Sequence, residues 1–181
     1  MDTKIKSNTI LGKNMDLKEL YFTEKDIFQR YKILKELVLV LPEDSKDFFL
    51  KAFKKERFLD MKLCAVRGYA AFATEIEVSI LMNKMCDLLQ KRADKTPFNY
   101  TEYEPMRSVF LIPYLLEHYS YECFHRFSLQ LETQYAAMPD CFKNIFTLDK
   151  HGNIVQLRNA EEVKQSLQHF LSTEHNTQTN I

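Results

Sequence analysis

Glycine occurs only three times in 181 residues. That scarcity argues against folds that spend glycine at many tight turns or at backbone–phosphate contacts, such as β-sandwiches and phosphate-binding α/β folds. Long apolar runs are missing too. The best one, Leu37–Leu41, is five residues long, against the roughly eighteen or more that a membrane helix needs. The first ten residues, MDTKIKSNTI, have no apolar stretch of the signal-peptide kind, so secretion and membrane insertion are not expected and a cytoplasmic location is. No two of Cys64, Cys86, Cys123 and Cys141 form a C-x-x-C pair. In a lysine-rich chain without a leader they are expected to be reduced thiols. There is no G-x-G-x-x-G, no P-loop and no G-x-S-x-G, so none of those motifs states a reaction.

One absence is local. Residues 101–142 contain no lysine. They carry two arginines, Arg107 and Arg126, and six acids, Glu102, Glu104, Glu117, Glu122, Glu132 and Asp140, a net of −4. The chain as a whole balances 25 basic against 25 acidic residues, so the remainder carries +4. Six of the nine tyrosines (Tyr100, Tyr103, Tyr114, Tyr119, Tyr121, Tyr135) lie in or just before this stretch. An acidic, tyrosine-rich region on a lysine-rich protein suggests a surface for a basic partner.

The length suits one domain, able to bury roughly 70% of its unfolded surface without disulfides or metal. Fourteen Phe and seven Met point to a core of large, adaptable side chains. The apolar period is helical. Thr23 is expected to cap a helix to about Leu41, with Ile27, Phe28, Tyr31, Leu34, Leu37 and Val38 on one face and Pro42 ending it. A short helix follows over 45–56, presenting Phe48, Phe49, Ala52 and Phe53. Residues 58–73 are apolar almost all round, the mark of a central helix. Thr74 with Glu77, Thr101 with Glu104, and Asn159 with Glu162 match capping boxes. Pro113 falls inside the predicted helix after Thr101 and should kink it. Ser120 should cap the next, which runs to Pro139. NIFTLDKHGNIVQLRN reads instead as two short strands turning at Gly152. The expected organisation is a flexible N-terminus over 1–15 (with Met15 an alternative start to Met1), a single helical domain over 16–172 with its β-hairpin at about 144–157, and a disordered tail over 173–181.

His118, Cys123 and His125 suggest a metal, but Cys123 and His125 are two apart on a helix and diverge, whereas zinc needs converging ligands. No metal or cofactor is expected. The acid pairs Glu75/Glu77, Glu102/Glu104 and Glu161/Glu162 each fall in a predicted first turn, where carboxylates favour the helix dipole. No catalytic residue is assigned and no enzyme activity is expected. The basic cluster Lys46, Lys51, Lys54, Lys55 and Arg57 reads as a solvated helix face, so nucleic acid is not the expected partner. Arg67, in an otherwise apolar helix, must be paired with a carboxylate or with carbonyls. An ion pair with Asp60 or a glutamate of the next helical pair is expected, or else a place lining a groove. Within MRSVFLIPYLLEHYSYECFHRF, the residues left outside the apolar stripe are Arg107, Tyr114, Glu117, His118, Tyr121, Glu122, His125 and Arg126. Tyr and Arg carry much of the binding energy at protein interfaces, and these eight form the candidate partner surface.

Short connections favour antiparallel helical hairpins, and a fully apolar inner helix fits an α-solenoid. The segment LDMKLCAVRGYAAF resembles the second helix of a HEAT-type repeat, with Asp60, Val66, Arg67 and Ala70 near that repeat's characteristic positions. The fold class expected is therefore mostly α, HEAT-like, with one short C-terminal β-hairpin. Taken with TPFNYTEYEPMRSVFLIPYLLEHY and MPDCFKNIFTLDKHGNIVQL, the chain resembles the small helical-repeat immunity proteins of bacterial polymorphic or contact-dependent toxin systems. The resemblance implies a protein that binds and neutralises a cognate toxin domain, often a basic nuclease, by covering its active site. Such antidotes are often acidic overall, so here the acidity would have to be focused. A generic helical-repeat adaptor and a DNA-binding helical repeat are the alternatives.

Overall fold

A computed structural model describes residues 16–93 and 100–178. It is mostly helical with one two-stranded sheet. The helices are α1 (Leu17–Thr23), α2 (Ile27–Val40), α3 (Lys46–Lys55), α4 (Leu59–Ala70), α5 (Glu75–Ala93), α6 (Tyr100–Arg107), α7 (Ile112–His118), α8 (Glu122–Ala136) and α9 (Ala160–Gln178). A 3-10 turn, Asp140–Phe142, precedes β1 (Phe146–Leu148) and β2 (Ile154–Gln156).

Side-chain contacts give the helix directions. Lys62 Nζ donates to the Phe53 carbonyl at 2.6 Å, while Lys46 lies over the Tyr69 ring. The end of α3 therefore meets the start of α4, and these two form an antiparallel hairpin. Between hairpins the helices run parallel. Arg126 donates to Asn83 Oδ1, Gln130 to the Cys86 carbonyl and Gln134 to the Leu89 carbonyl, so α5 and α8 advance together. Leu59 meets Glu102 and Arg67 meets Phe110, so α4 advances with the chain that runs through α6. One layer holds α3, α5 and α8, and the other holds α2, α4 and α6. The inner member, α4, packs against α2, α3, α5 and α6. This is the stacking of helical pairs expected of a solenoid.

Every residue of α4 except Lys62 is buried. Its close approach to α3 needs Gly68, because a Cβ there would run into the Phe49 ring, itself fully buried. Gly68→Ala should therefore destabilise by about 1–3 kcal/mol through overpacking, although alanine is the better helix former. Urea denaturation measures this, and a stabilised variant would show that α3 and α4 can separate at no cost.

Four local expectations are corrected. Thr23 ends α1, its hydroxyl donating back to the Glu19 and Leu20 carbonyls, and Asp26 caps α2 by accepting from the Gln29 N–H at 2.9 Å. Phe28 accordingly points outward. Pro113 kinks nothing: the chain breaks over 108–111 and Pro113 opens α7, where a missing N–H costs no helical bond. Glu104 caps nothing either. It is buried, and its Oε1 accepts from the Tyr135 hydroxyl at 2.7 Å and the Asn144 N–H at 2.7 Å. Ser120 precedes the actual N-cap of α8, Tyr121, which makes no side-chain cap bond. Of the other two boxes, the first holds in full and the second in part. Thr74 and Glu77 bond reciprocally at 2.8 and 3.4 Å, and Asn159 accepts from the Glu161 N–H at 2.8 Å.

The hairpin pairs Phe146 with Gln156 and Leu148 with Ile154, and Gly152 takes φ 79 in its turn. Lys35 Nζ of α2 donates to the Gly152 carbonyl at 2.6 Å, pinning the turn onto the inner layer. The last helix, α9, runs to Gln178, beyond position 173 where the sequence places a disordered tail. The segments 1–15 and 179–181, and most of the loop carrying Pro97, lie outside the described residues. All four cysteines are free thiols.

Candidate partner-binding surface

The break over 108–111 has a direct consequence for Arg67. It frees the Phe110 carbonyl, which accepts from Arg67 Nη1 at 2.6 Å. The guanidinium lies 4.4 Å from the Phe110 ring centroid and 3.5 Å from that of Tyr114. Arg67 thus has a carbonyl and two ring faces where an ion pair with Asp60 or a glutamate was expected. Burial lowers its pKa from the usual value, partly countered by Tyr114.

This arginine anchors a string of rings. Tyr114 stacks on His118 at 3.9 Å, and His118 Nδ1 donates to the Tyr114 carbonyl at 2.9 Å. Burial first, with Tyr114 and Tyr121 nearby, raises the hydroxyl of Tyr119 above its usual range. Its ring is 5.3 Å from Tyr121, which stacks on buried Phe124 at 5.6 Å. Around these rings Glu117, His118, Glu122 and His125 are exposed, while Tyr114 and Tyr121 are half-buried. The corner between α7 and α8 therefore gathers six of the eight candidate residues.

The other two stand apart. Arg107 forks onto Glu132 at 2.8 and 3.1 Å and lies over the Tyr135 ring. Glu132 is ten residues along α8 from Glu122, roughly 15 Å away. Arg126 turns toward Asn83 on α5.

Four of the six acids of 101–142 are buried or paired. Glu102 is buried, accepting from the Leu59 N–H at 3.0 Å and from Arg92 at 2.9 Å. Glu104 is buried as described, Glu132 is paired with Arg107, and Asp140 is paired with Lys143 at 3.1 Å. Among the described residues, the exposed carboxylates of this stretch that make no ion pair are Glu117 and Glu122. The corner thus presents two unpaired carboxylates beside the half-buried rings of Tyr114, Tyr119 and Tyr121.

A second feature, missed in the sequence, lies beneath it. Along α4, Asp60, Cys64 and Arg67 fall at i, i+4 and i+7 and form a buried polar seam. It faces Tyr31 and Lys35, also i and i+4, on α2. Burial, with help from Glu102, pushes Asp60 up to about 7. The Tyr31 hydroxyl lies beside this carboxyl without reaching good hydrogen-bond geometry. Burial raises Cys64 and lowers Lys35. The repeat of charged and thiol residues at helical spacing was the available signal. Among the described residues no three His, Cys, Asp or Glu side chains converge as metal ligands. Cys123 is buried beside Ser79, and His118 and His125 are surface residues. Among those residues, too, no helix is long and apolar enough to cross a membrane.

Comparison with known proteins finds no matching family model, no matching curated protein and no matching solved structure.

Proposed function

We propose that this chain is a non-enzymatic protein-binding module of the cytoplasm, acting as an immunity protein that occludes the active site of a cognate toxin domain. The observation that supports binding is the α7–α8 corner, where exposed Glu117, His118, Glu122 and His125 surround the Tyr114 ring, backed by Arg67, and the Tyr121 ring, backed by Phe124. Rings already fixed in place lose little entropy on association, and tyrosine is a frequent hot-spot residue. The resemblance to immunity proteins supplies the partner's character, a basic, nuclease-like toxin domain. Two free carboxylates suit that sign but are few, so the anchoring is chiefly aromatic and the charge acts mainly on encounter. No cofactor enters this reading.

Binding kinetics against the product of the adjacent gene test it. Glu117→Lys with Glu122→Lys should slow association, more at low salt than at high. Tyr114→Ala or Tyr121→Ala should speed dissociation roughly thirtyfold, the equivalent of about 2 kcal/mol. Thermal midpoints are recorded alongside, because Tyr114 also covers Arg67. Unchanged kinetics in all these variants would move the interface elsewhere. The exposed lysines Lys51, Lys54 and Lys55, on one face of α3, are then the next candidate. Salt-sensitive binding to DNA would favour that face.

A further inference from the structure

A shallow, open cleft of about 520 Å³ lies between the 3-10 turn and α9, within the size range of small-molecule sites. It lies on a different part of the fold from the α7–α8 corner. Its lining includes Lys143, Asn144, Arg158, Ser166, His169 and Phe170.

Arg158 sets its character. Arg30, Arg92 and Arg107 each hold a carboxylate, those of Glu56, Glu102 and Glu132. Among the described residues Arg158 has none. Its Nη1 donates to the Cys141 and Lys143 carbonyls at 3.2 and 3.3 Å, and its Nη2 to Ser166 Oγ at 2.8 Å. A guanidinium has five N–H donors, so two remain. These neutral partners hold the charge in place without cancelling it. One carboxylate, Asp140, also lines the cleft, but it is exposed and bonded to Lys143.

We infer that this cleft binds a small molecule through an oxyanion, phosphate or carboxylate, with Arg158 as the charged anchor. A guanidinium fork fits both groups. The cleft also bridges a loosely attached element. Over residues 160–173, α9 buries no residue completely, and it meets the rest of the chain chiefly at the 3-10 turn, where Phe170 packs on Phe142. A ligand touching both walls would tie α9 down.

Two-dimensional NMR of the full chain tests this, titrating inorganic phosphate and, separately, acetate against chloride at constant ionic strength. The expected result is saturable shifts confined to 141–144 and 158–173, for one or both anions. Saturation by phosphate alone identifies a phosphate ligand, and by acetate alone a carboxylate. Arg158→Gln should weaken binding roughly tenfold or more. Ser166→Asp places the missing carboxylate beside Nη2. It should abolish binding while raising the thermal midpoint, so the test does not depend on Arg158→Gln folding. Shifts that never saturate, or that survive in Ser166→Asp, would overturn the assignment.

Discussion

Glu56→Ala should cost about 3–5 kcal/mol, the range for breaking one side of a buried ion pair. The Glu56 side chain is only 1% exposed. It accepts from Arg30 Nε at 2.7 Å, Arg30 Nη2 at 3.0 Å and the Tyr21 hydroxyl at 2.5 Å. Those three donors come from α1 and α2, while Glu56 stands at the end of α3. Removing the carboxylate leaves a half-buried guanidinium and a buried hydroxyl without their acceptor. Domains of this size are stable by about 5–15 kcal/mol, so the loss is a large fraction. Arg30→Met combined with Glu56→Met should cost less than the two single changes added together, because each single change already forfeits the pair. Chemical denaturation of Glu56→Ala, the two Met singles and their combination measures it. Strict additivity, or a cost for Glu56→Ala below about 1 kcal/mol, would show that water already reaches this network.

Asp60→Asn should act in the opposite direction and only above acidic pH. Its folded pKa of about 7 stands above the ordinary aspartate value of 3.8, through burial first and Glu102 second. Between these two pH values the folded chain keeps a proton that the unfolded chain has released. Stability from this group therefore falls as pH rises from about 4 to about 7, and is level above that. Asp60→Asn mimics the protonated form. It should add on the order of 4 kcal/mol near pH 8 and almost nothing near pH 4. Denaturation at pH 4, 6 and 8 checks this. A gain of equal size at all three would show that Asp60 titrates normally.

What the sequence made legible follows from the range of the interaction involved. Apolar periodicity is local, and it located α3, α4, α5 and α8 and the burial of Phe48, Phe49, Phe124 and Phe127. The hairpin was legible for the same reason, because Gly152 and the change of period sit in one short segment. Acid placement was not. Glu102 looks like a first-turn carboxylate of α6, yet it accepts from the N-terminal N–H of α4, 43 residues away in sequence. The real N-cap of α4 is Phe58, which offers no side-chain acceptor. Glu104 is spent across the fold on Tyr135 and Asn144, 31 and 40 residues away. Local charge counting therefore overstated the surface acidity. Arg67 resisted the reading too, because its acceptor exists only where the chain breaks before Pro113. Within the candidate surface, Tyr114, Glu117, His118, Tyr121, Glu122 and His125 lie together at the α7–α8 corner because they are near one another in sequence. Arg107 was separated by a fold-dependent pairing with Glu132.

Hydrogen–deuterium exchange of the full chain, free and bound to the adjacent gene's product, tests partner binding at the α7–α8 corner most directly. The account predicts slowed exchange centred on residues 112–126, with the outer face of α3 unchanged. Protection centred on 46–57 instead, or no protection anywhere at saturating partner, would contradict it.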